Sequence, residues 1–264
     1  MPTQMLTTAA LTIAGSDCCG GAGIQADLKT FVANGVYGAS VITALTAQNT
    51  LGVQALTAVK PDMVRAQLLS VLADLPIRAV KTGMLGSAAT IAAVADILGA
   101  AAPGLALVMD PVMVATSGAE LADAATIAAM RRLIGMATLV TPNTRELETL
   151  TGMPATTPAE ARAAGRRLLA QGCQAVLLKG GHLPGREVAD VLLADTGEKE
   201  WAHARLAGEY HGTGCTLSAA ITAGLAKNRN LVEAVGAAID YLGRTMRAGR
   251  LPRAGRLILL QHDA

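Results

Sequence analysis

The chain has 264 residues, of which 52% are hydrophobic and 16% are charged, so it can bury a large core and disorder is excluded as its main state. A net charge of +2 and an aromatic content of 2% exclude an extended basic surface for nucleic acid and a stacking platform for single-stranded bases. Four scattered cysteines exclude a disulfide scaffold and predict a reduced, cytoplasmic protein.

No membrane partner is expected either. The uncharged stretch 36–59 contains several Thr, Gln and Asn residues and is a poor match to a membrane span. The first residues lack the basic region that precedes the apolar part of a secretory signal.

Apolar strand-like runs alternate with longer helical stretches along the chain. Strands are predicted at 6–14, 38–47, 77–81, 105–110, 138–141, 173–179 and, as an edge strand, 187–193. Helices are predicted at 24–34, 61–75, 87–99, 123–135, 157–172, 214–227 and 231–246. Because the strands are continuously apolar, they indicate a mostly parallel sheet that is covered on both faces. The pattern predicts an α/β fold, a three-layer α/β/α arrangement in which residues 1–264 form a single domain.

Six of the strand-like runs end in small, polar or charged residues. These ends are Gly15-Ser16-Asp17, Gln48-Asn49-Thr50, Lys81-Thr82-Gly83-Met84, Asp110-Pro111-Val112, Thr141-Pro142-Asn143 and Lys179-Gly180-Gly181-His182. In an open parallel sheet, ligands bind outside the carboxyl ends of the strands. Any one end could be a solvated turn, but six on one rim predict a binding site.

Two glycine-rich segments add to this rim. Gly20-Gly21-Ala22-Gly23 fits neither G-x-G-x-x-G nor the P-loop pattern, so the usual Rossmann and P-loop fingerprints are absent. The segment 211–216, His-Gly-Thr-Gly-Cys-Thr, directly precedes an Ala-rich helix. Free N–H groups at a helix start bind anions, and the helix field there favours a thiolate at Cys215. A flexible turn and simple packing are the alternative interpretations of the two segments.

Charged residues at neighbouring strand ends suggest a magnesium–nucleotide site. Asp110 and Glu146 supply hard oxygen ligands, Asn143 lies beside them, and Lys179 could neutralise phosphate oxygens. Each could instead be a surface group. The cysteines and histidines have no ligand-type spacing, which predicts no zinc site.

The combination of motifs resembles the hydroxymethylpyrimidine/phosphomethylpyrimidine kinases of thiamine biosynthesis, which are ribokinase-like proteins. The matching segments, in chain order, are LTIAGSDCCGGAGIQADLKTF, YGASVITALTAQNTLGVQ, KTGML, MDPVMVATSG, TPNTRELE, AVLLKGGH and HGTGCTLSAAI. They extend from Leu11 to Ile221, so the resemblance covers most of the chain.

The resemblance implies a ribokinase-like fold and an ATP- and Mg²⁺-dependent kinase. It would phosphorylate 4-amino-5-hydroxymethyl-2-methylpyrimidine, and then the monophosphate to the diphosphate. Residues 212–214 (Gly212, Thr213 and Gly214) match the anion hole, and Cys215 takes the position of a catalytic base. The substrate-binding positions are Gln48, Asp27, Gly15, Met84 and Val112. Asp110 and Glu146 match metal-proximal positions, and Asn143 and Lys179 match nucleotide contacts.

The chain departs from the family pattern at several positions, and two other functions stay open. The departures are Cys18, Cys19, Thr116, Glu209 and Tyr210. Those at Thr116, Glu209 and Tyr210 motivate a non-catalytic ligand-binding relative as one alternative. A pyridoxal or pyridoxine kinase is the nearer alternative, because it acts on a similar hydroxymethyl heteroaromatic. The resemblance also implies a homodimer.

Overall fold

The computed structural model describes residues 5–101, 104–113, 123–182 and 185–264. The strands are β1 (Ala9–Asp17), β2 (Tyr37–Asn49), β3 (Gly52–Ala58), β4 (Ile77–Thr82), β5 (Ala106–Met109), β6 (Leu139–Val140), β7 (Ala175–Leu178), β8 (Glu187–Ala194), β9 (Gly197–Ala204), β10 (Tyr210–His211) and β11 (Ile258–Leu259). The helices are α1 (Gly23–Ala33), α2 (Pro61–Asp74), α3 (Ala88–Ala101), α4 (Ala124–Ile134), α5 (Thr144–Thr151), α6 (Pro158–Leu169), α7 (Thr213–Ala226) and α8 (Leu231–Arg247).

Nine strands form one sheet in the order β3-β2-β1-β4-β5-β6-β7-β8-β9. The six central strands, which are β2, β1, β4, β5, β6 and β7 in their order across the sheet, pair in parallel. At one side β3 pairs antiparallel with β2, and at the other side β8 and β9 pair antiparallel. The predicted parallel core is therefore confirmed. The prediction that residues 187–193 form an edge strand is wrong, because β9 pairs along the whole length of β8.

Helices cover both faces of the sheet, as the three-layer prediction requires. One face packs against α1, α7 and α8, and the other against α2, α3, α4, α5 and α6. α7 lies over the middle of the sheet against β1, β4 and β5, and most of its residues are small and buried. This close packing places the start of α7 at the carboxyl ends of the central strands.

Several helix starts follow from local capping chemistry. Ser87 accepts a hydrogen bond from the Thr90 N–H at 3.1 Å, and the Asp123 side chain accepts from the Thr126 N–H at 2.8 Å. These bonds satisfy N–H groups that have no partner inside the helix. The predicted starts at these positions are confirmed to within a residue.

Within the part of the chain that the structure describes, no helix combines the length and apolar character needed to cross a membrane. The uncharged stretch 36–59 instead forms the antiparallel pair of β2 and β3.

The carboxyl-terminal segment is held to the α1–α8 layer by His262. Its Nδ1 lies 3.2 Å from both the Thr30 hydroxyl and the Tyr241 hydroxyl. Burial, with a smaller effect of Lys29, lowers the pKa of His262 to about 4. The neutral imidazole is therefore the form that fits the folded protein.

Protonation of His262 should make the fold sensitive to acid. The folded-state pKa lies below the unfolded value, so the stabilisation is complete above pH 6.5 and is lost as the pH falls towards 4. We expect protonation of His262 to lower the free energy of unfolding by about 2–3 kcal/mol over this window. Urea titrations should show this as the difference between the wild type and His262→Gln, because the raised pKa of Glu146 acts in the opposite direction in both proteins. His203→Gln is the control, because its bond to Asp190 raises the pKa of His203. An unchanged profile in His262→Gln would contradict the assignment.

Candidate active site

The start of α7 is shaped by glycines. Gly212 precedes the helix with a φ of 81°, in the left-handed region that favours glycine. A Cβ at Gly212 would also overlap the carbonyl oxygen of Gly21, so the loop 20–23 lies directly against the helix start. The N–H groups of the first turn and the positive end of the helix dipole make this end suited to an anion.

The predicted phosphate and metal residues lie beside that helix start. Lys179 Nζ is 3.1 Å from Asp110 Oδ1 and 3.9 Å from Glu146 Oε2. A Cβ built on Gly214 would lie 3.4 Å from Lys179 Nζ and 3.5 Å from Asp110 Oδ2. The structure therefore brings strand ends β5 and β7, the start of α5 and the start of α7 to one place.

Burial and charge set the protonation of this group. Burial is the main reason that the pKa of Glu146 is raised to about 7; Lys179 lowers it in part and Asp110 adds to the rise. Burial by itself lowers the pKa of Lys179, but Asp110 and Glu146 outweigh it and keep the pKa above its usual value. A charged ammonium beside two carboxylates can hold phosphate oxygens, and the carboxylate oxygens are the donor type that Mg²⁺ prefers.

Asn143 and Glu146 also have a structural role that sequence analysis missed. The Asn143 side chain accepts from the Glu146 N–H at 3.0 Å, and Glu146 Oε2 accepts from the Asn143 N–H at 2.8 Å. This reciprocal capping box starts α5, a helix that was not predicted. The N-x-x-E spacing in the sequence was the available signal.

A second group connects the other side of the helix start to β2. The buried His211 places Nε2 2.9 Å from Asp17 Oδ2 and 3.1 Å from Gln48 Nε2. Asp17 also accepts from the N–H groups of Gly21 and Ala22, at 3.2 and 2.8 Å. Burial alone would raise the pKa of Asp17, but hydrogen bonds from His211 and Cys19 lower it to about 2. The ionised Asp17 thus fixes the glycine loop, and His211 connects that loop to Gln48.

Cys215 lies in the first turn of α7, but its ionisation differs from the prediction. Burial raises the pKa of the Cys215 thiol to about 11, and the nearby Lys81 lowers it only in part. This shift is opposite to the predicted thiolate and favours the protonated thiol. Desolvation of a charged sulfur outweighs the field of the helix start.

Asp27 and Lys81 form an ion pair whose two side chains are fully buried. Lys81 Nζ lies 2.9 and 2.8 Å from the two Asp27 carboxylate oxygens, and Thr12 donates to Oδ2 at 2.6 Å. Burial by itself lowers the pKa of Lys81, but the charge of Asp27, with a smaller effect of Asp110, raises it above its usual value. The Asp27 carboxylate therefore faces Lys81, and its contact with a substrate stays a prediction.

The predicted pocket walls are partly brought together. A Cβ on Gly15 would overlap the Met84 methyl group, so these two residues are in contact at the ends of β1 and β4. Val112 is half-buried, and its N–H donates to the Asp110 carbonyl at 2.8 Å. Thr116 lies outside the described residues.

Sequence reasoning did not single out Asp17, Lys81 or His211 for a role of their own. Asp17 and Lys81 were noted only as residues at strand ends, and His211 only as the residue before the helix glycines. Their partners lie far away along the chain, for example 194 residues between Asp17 and His211. No local spacing could reveal those contacts.

Comparison with known proteins agrees with this geometry. Residues 17–257 match the family model described as phosphomethylpyrimidine kinase. A hydroxymethylpyrimidine/phosphomethylpyrimidine kinase of Rhizobium meliloti is 51% identical over 240 residues, which cover 90% of each chain.

Solved structures are similar over nearly the whole chain. The phosphomethylpyrimidine kinase of Clostridium difficile has a TM-score of 0.80 and 41% identity, covering 90% of this chain and 99% of its own. The Bacillus subtilis pyridoxal kinase in its ADP complex has a TM-score of 0.89 and 33% identity, covering 98% of each chain. These likenesses confirm the ribokinase-like α/β fold and the recognised resemblance. The chain belongs to the phosphomethylpyrimidine kinase family.

Proposed function

We propose that this chain transfers the γ-phosphoryl group of ATP to the hydroxymethyl group of 4-amino-5-hydroxymethyl-2-methylpyrimidine, and then phosphorylates the monophosphate, in thiamine biosynthesis. The observation that carries the proposal is the position of residues 211–215. Gly214 adjoins Lys179 and Asp110, while His211 contacts Gln48. The groups that we assign to phosphate binding and to pyrimidine binding thus meet at one helix start.

The chemistry needs positioning and charge neutralisation more than a covalent intermediate. The N–H groups of Gly212, Thr213 and Gly214 would bind the oxygens of the moving phosphoryl group. Lys179 would act as a positive point charge on the nucleotide phosphates, with Asn143 beside it. Asp110 and Glu146 have the oxygen donors that fit Mg²⁺, which would neutralise further phosphate charge.

Cys215 is positioned to handle the proton of the substrate hydroxyl. Its thiol lies near the Gly23 N–H and the Lys81 ammonium. The protonated thiol, which is the resting form, would orient the substrate hydroxyl as a hydrogen-bond partner. The minor thiolate form, which has already lost its proton to solvent, would accept the hydroxyl proton as the new P–O bond forms and the bond from the γ-phosphorus to the ADP oxygen breaks.

On the substrate side, the Gln48 amide offers both a donor and an acceptor to the aminopyrimidine ring. Gly15, Met84 and Val112 would line the pocket around the ring. We assign Asp27 a positioning role: it holds Lys81, which lies close enough to Cys215 to affect its charge.

Replacing Gln48 with Ala should raise the KM for the pyrimidine roughly tenfold or more, because a buried ring nitrogen or amine then loses its partner. The KM for ATP should change little. Gln54→Ala is the matched control, since Gln54 is exposed on β3 and bonds only within its own hairpin among the described contacts. Steady-state kinetics with both substrates measure this. An unchanged pyrimidine KM would show that the pocket is assigned wrongly.

The second candidate is a pyridoxal kinase, which the TM-score of 0.89 to the Bacillus subtilis pyridoxal kinase favours. A product assay with ATP and Mg²⁺, run with the hydroxymethylpyrimidine and with pyridoxal in parallel, decides between them. We expect a larger kcat/KM for the pyrimidine and formation of both mono- and diphosphate. A larger value for pyridoxal would reverse the assignment, and no turnover of either would leave the non-catalytic alternative.

Two further expectations belong to this proposal. We propose that residues 1–264 act as one kinase domain, which the single nine-stranded sheet supports.

We also propose a homodimer. Exposed Leu45, Leu51 and Leu56 on the β2–β3 pair supply apolar surface for it, and light scattering during gel filtration measures the state.

A further inference from the structure

Three side chains of different chemical type converge beside the glycine loop. Asp17 Oδ2, Cys19 Sγ and His211 Nε2 all lie within 4.8 Å of one another. Asp17 and His211 are buried and Cys19 is half-buried. One carboxylate, one thiol and one imidazole are the ligands that zinc and related divalent metals take in proteins.

The spacing of these atoms is close to that of a tetrahedral site. His211 Nε2 is 2.9 Å and Cys19 Sγ is 3.4 Å from Asp17 Oδ2. With metal bonds of about 2.0 Å to N and O and about 2.3 Å to S, neighbouring ligands in a tetrahedron are about 3.3–3.5 Å apart. The two distances to Asp17 therefore need to change by only a few tenths of an ångström, and Cys19 Sγ and His211 Nε2 lie within 4.8 Å of each other.

The surroundings hold the carboxylate and allow the imidazole to change tautomer. The Gly21 and Ala22 N–H groups bind Asp17, so it is oriented before a metal arrives. His211 Nδ1 has no hydrogen-bond partner within the described chain, so a neutral ring can carry its proton there, and a metal then replaces the hydrogen bond between Nε2 and Asp17. Binding also releases the Cys19 proton to solvent.

Gln48 is placed to complete the coordination. Its amide nitrogen lies 3.1 Å from His211 Nε2, and a half-turn of the amide presents its oxygen at the same place. A metal at this site would therefore compete with the pyrimidine for the Gln48 side chain.

We propose that Asp17, Cys19 and His211 form a site for a divalent transition metal of the Zn²⁺ class, and that the bound metal withdraws Gln48 from the pyrimidine pocket. The second half rests on the function proposed above. Mg²⁺ prefers oxygen ligands and should not compete for a thiolate–imidazole site. Sequence spacing predicted no zinc site, because 192 residues separate Cys19 from His211.

The site is tested by adding Co²⁺ to the chelator-treated full chain. We expect one Co²⁺ per chain and a thiolate-to-Co²⁺ charge-transfer band in the near ultraviolet. Cys19→Ser should abolish the band while keeping a donor to Asp17, and Cys19→Ala should do the same. Cys18→Ser and Cys215→Ser are the matched controls and should keep it. Absence of the band in the wild type, its persistence in Cys19→Ser, or its loss in Cys18→Ser would overturn the site.

Affinity and kinetics test the two halves separately. Competition with a chromophoric chelator should show Zn²⁺ binding weakened by at least roughly tenfold in His211→Gln; equal affinity would overturn the ligand set. With Mg²⁺ in excess, Zn²⁺ should raise the pyrimidine KM in the wild type and not in Cys19→Ser. A normal Co²⁺ band with an unchanged KM would overturn the link to Gln48. A protein without kinase activity would refute the proposed function, while the spectrum would still decide the metal site.

Discussion

Cys215→Ala should lower kcat by roughly 10²–10³-fold, which is within the range that a positioned acid–base group supplies. The KM values should change little, because the phosphates are bound by the helix start and Lys179 rather than by the thiol. The reason is local, because the thiol lies near Lys81 and the Gly23 N–H at the helix start. A variant that turns over as fast as the wild type would remove Cys215 from the mechanism.

The pH dependence should identify the chemistry of that thiol. With a pKa of about 11, the thiolate fraction rises roughly tenfold per pH unit through the neutral range. The kcat of the wild type should therefore rise with pH up to about 9, and Cys215→Ser should lose this slope. Cys173→Ala is the matched control, because Cys173 is also buried with its pKa raised to about 11 but packs elsewhere, in the core on the α2–α6 side of the sheet. A slope retained in Cys215→Ser would assign the proton to another group.

Lys81→Met should destabilise the fold by about 3–5 kcal/mol, because it leaves the Asp27 carboxylate buried without its counter-charge. Both side chains have 0% exposure, so water cannot replace the lost partner. This loss is a large fraction of the total stability of an ordinary domain. Urea unfolding with an unchanged slope measures it as a shift of the midpoint.

Two further variants separate the charge effect from packing. Asp27→Asn combined with Lys81→Met should recover much of the loss, since no buried charge remains. Arg132→Met breaks the exposed pair with Asp96, whose side chains are 54% and 49% exposed, and should cost less than about 1 kcal/mol. If the double variant were as unstable as Lys81→Met, the cost would lie in packing rather than in the unpaired carboxylate.

The local signals of the sequence predicted much of the fold. Continuous apolar runs gave the parallel strands, and Pro61, Ser87 and Asp123 marked helix starts that the structure confirms. The missed elements carry weaker signals. β3 is mostly exposed and β9 carries polar residues along an edge, so neither shows the apolar pattern of a buried strand. The short α5 depends on its capping box rather than on periodicity.

The sequence by itself determined the fold class, the rim of strand ends and the motifs of the site, because these depend on apolar patterning and on glycines at fixed spacing. Only the tertiary structure decided how these parts act on one another. It pairs Asp27 with Lys81 and connects Asp17 to Gln48 through His211. It also raises the pKa of the Cys215 thiol, because the desolvation of a charged sulfur depends on all the atoms packed around it. Contacts between distant segments and the cost of burying charge have no counterpart in local spacing.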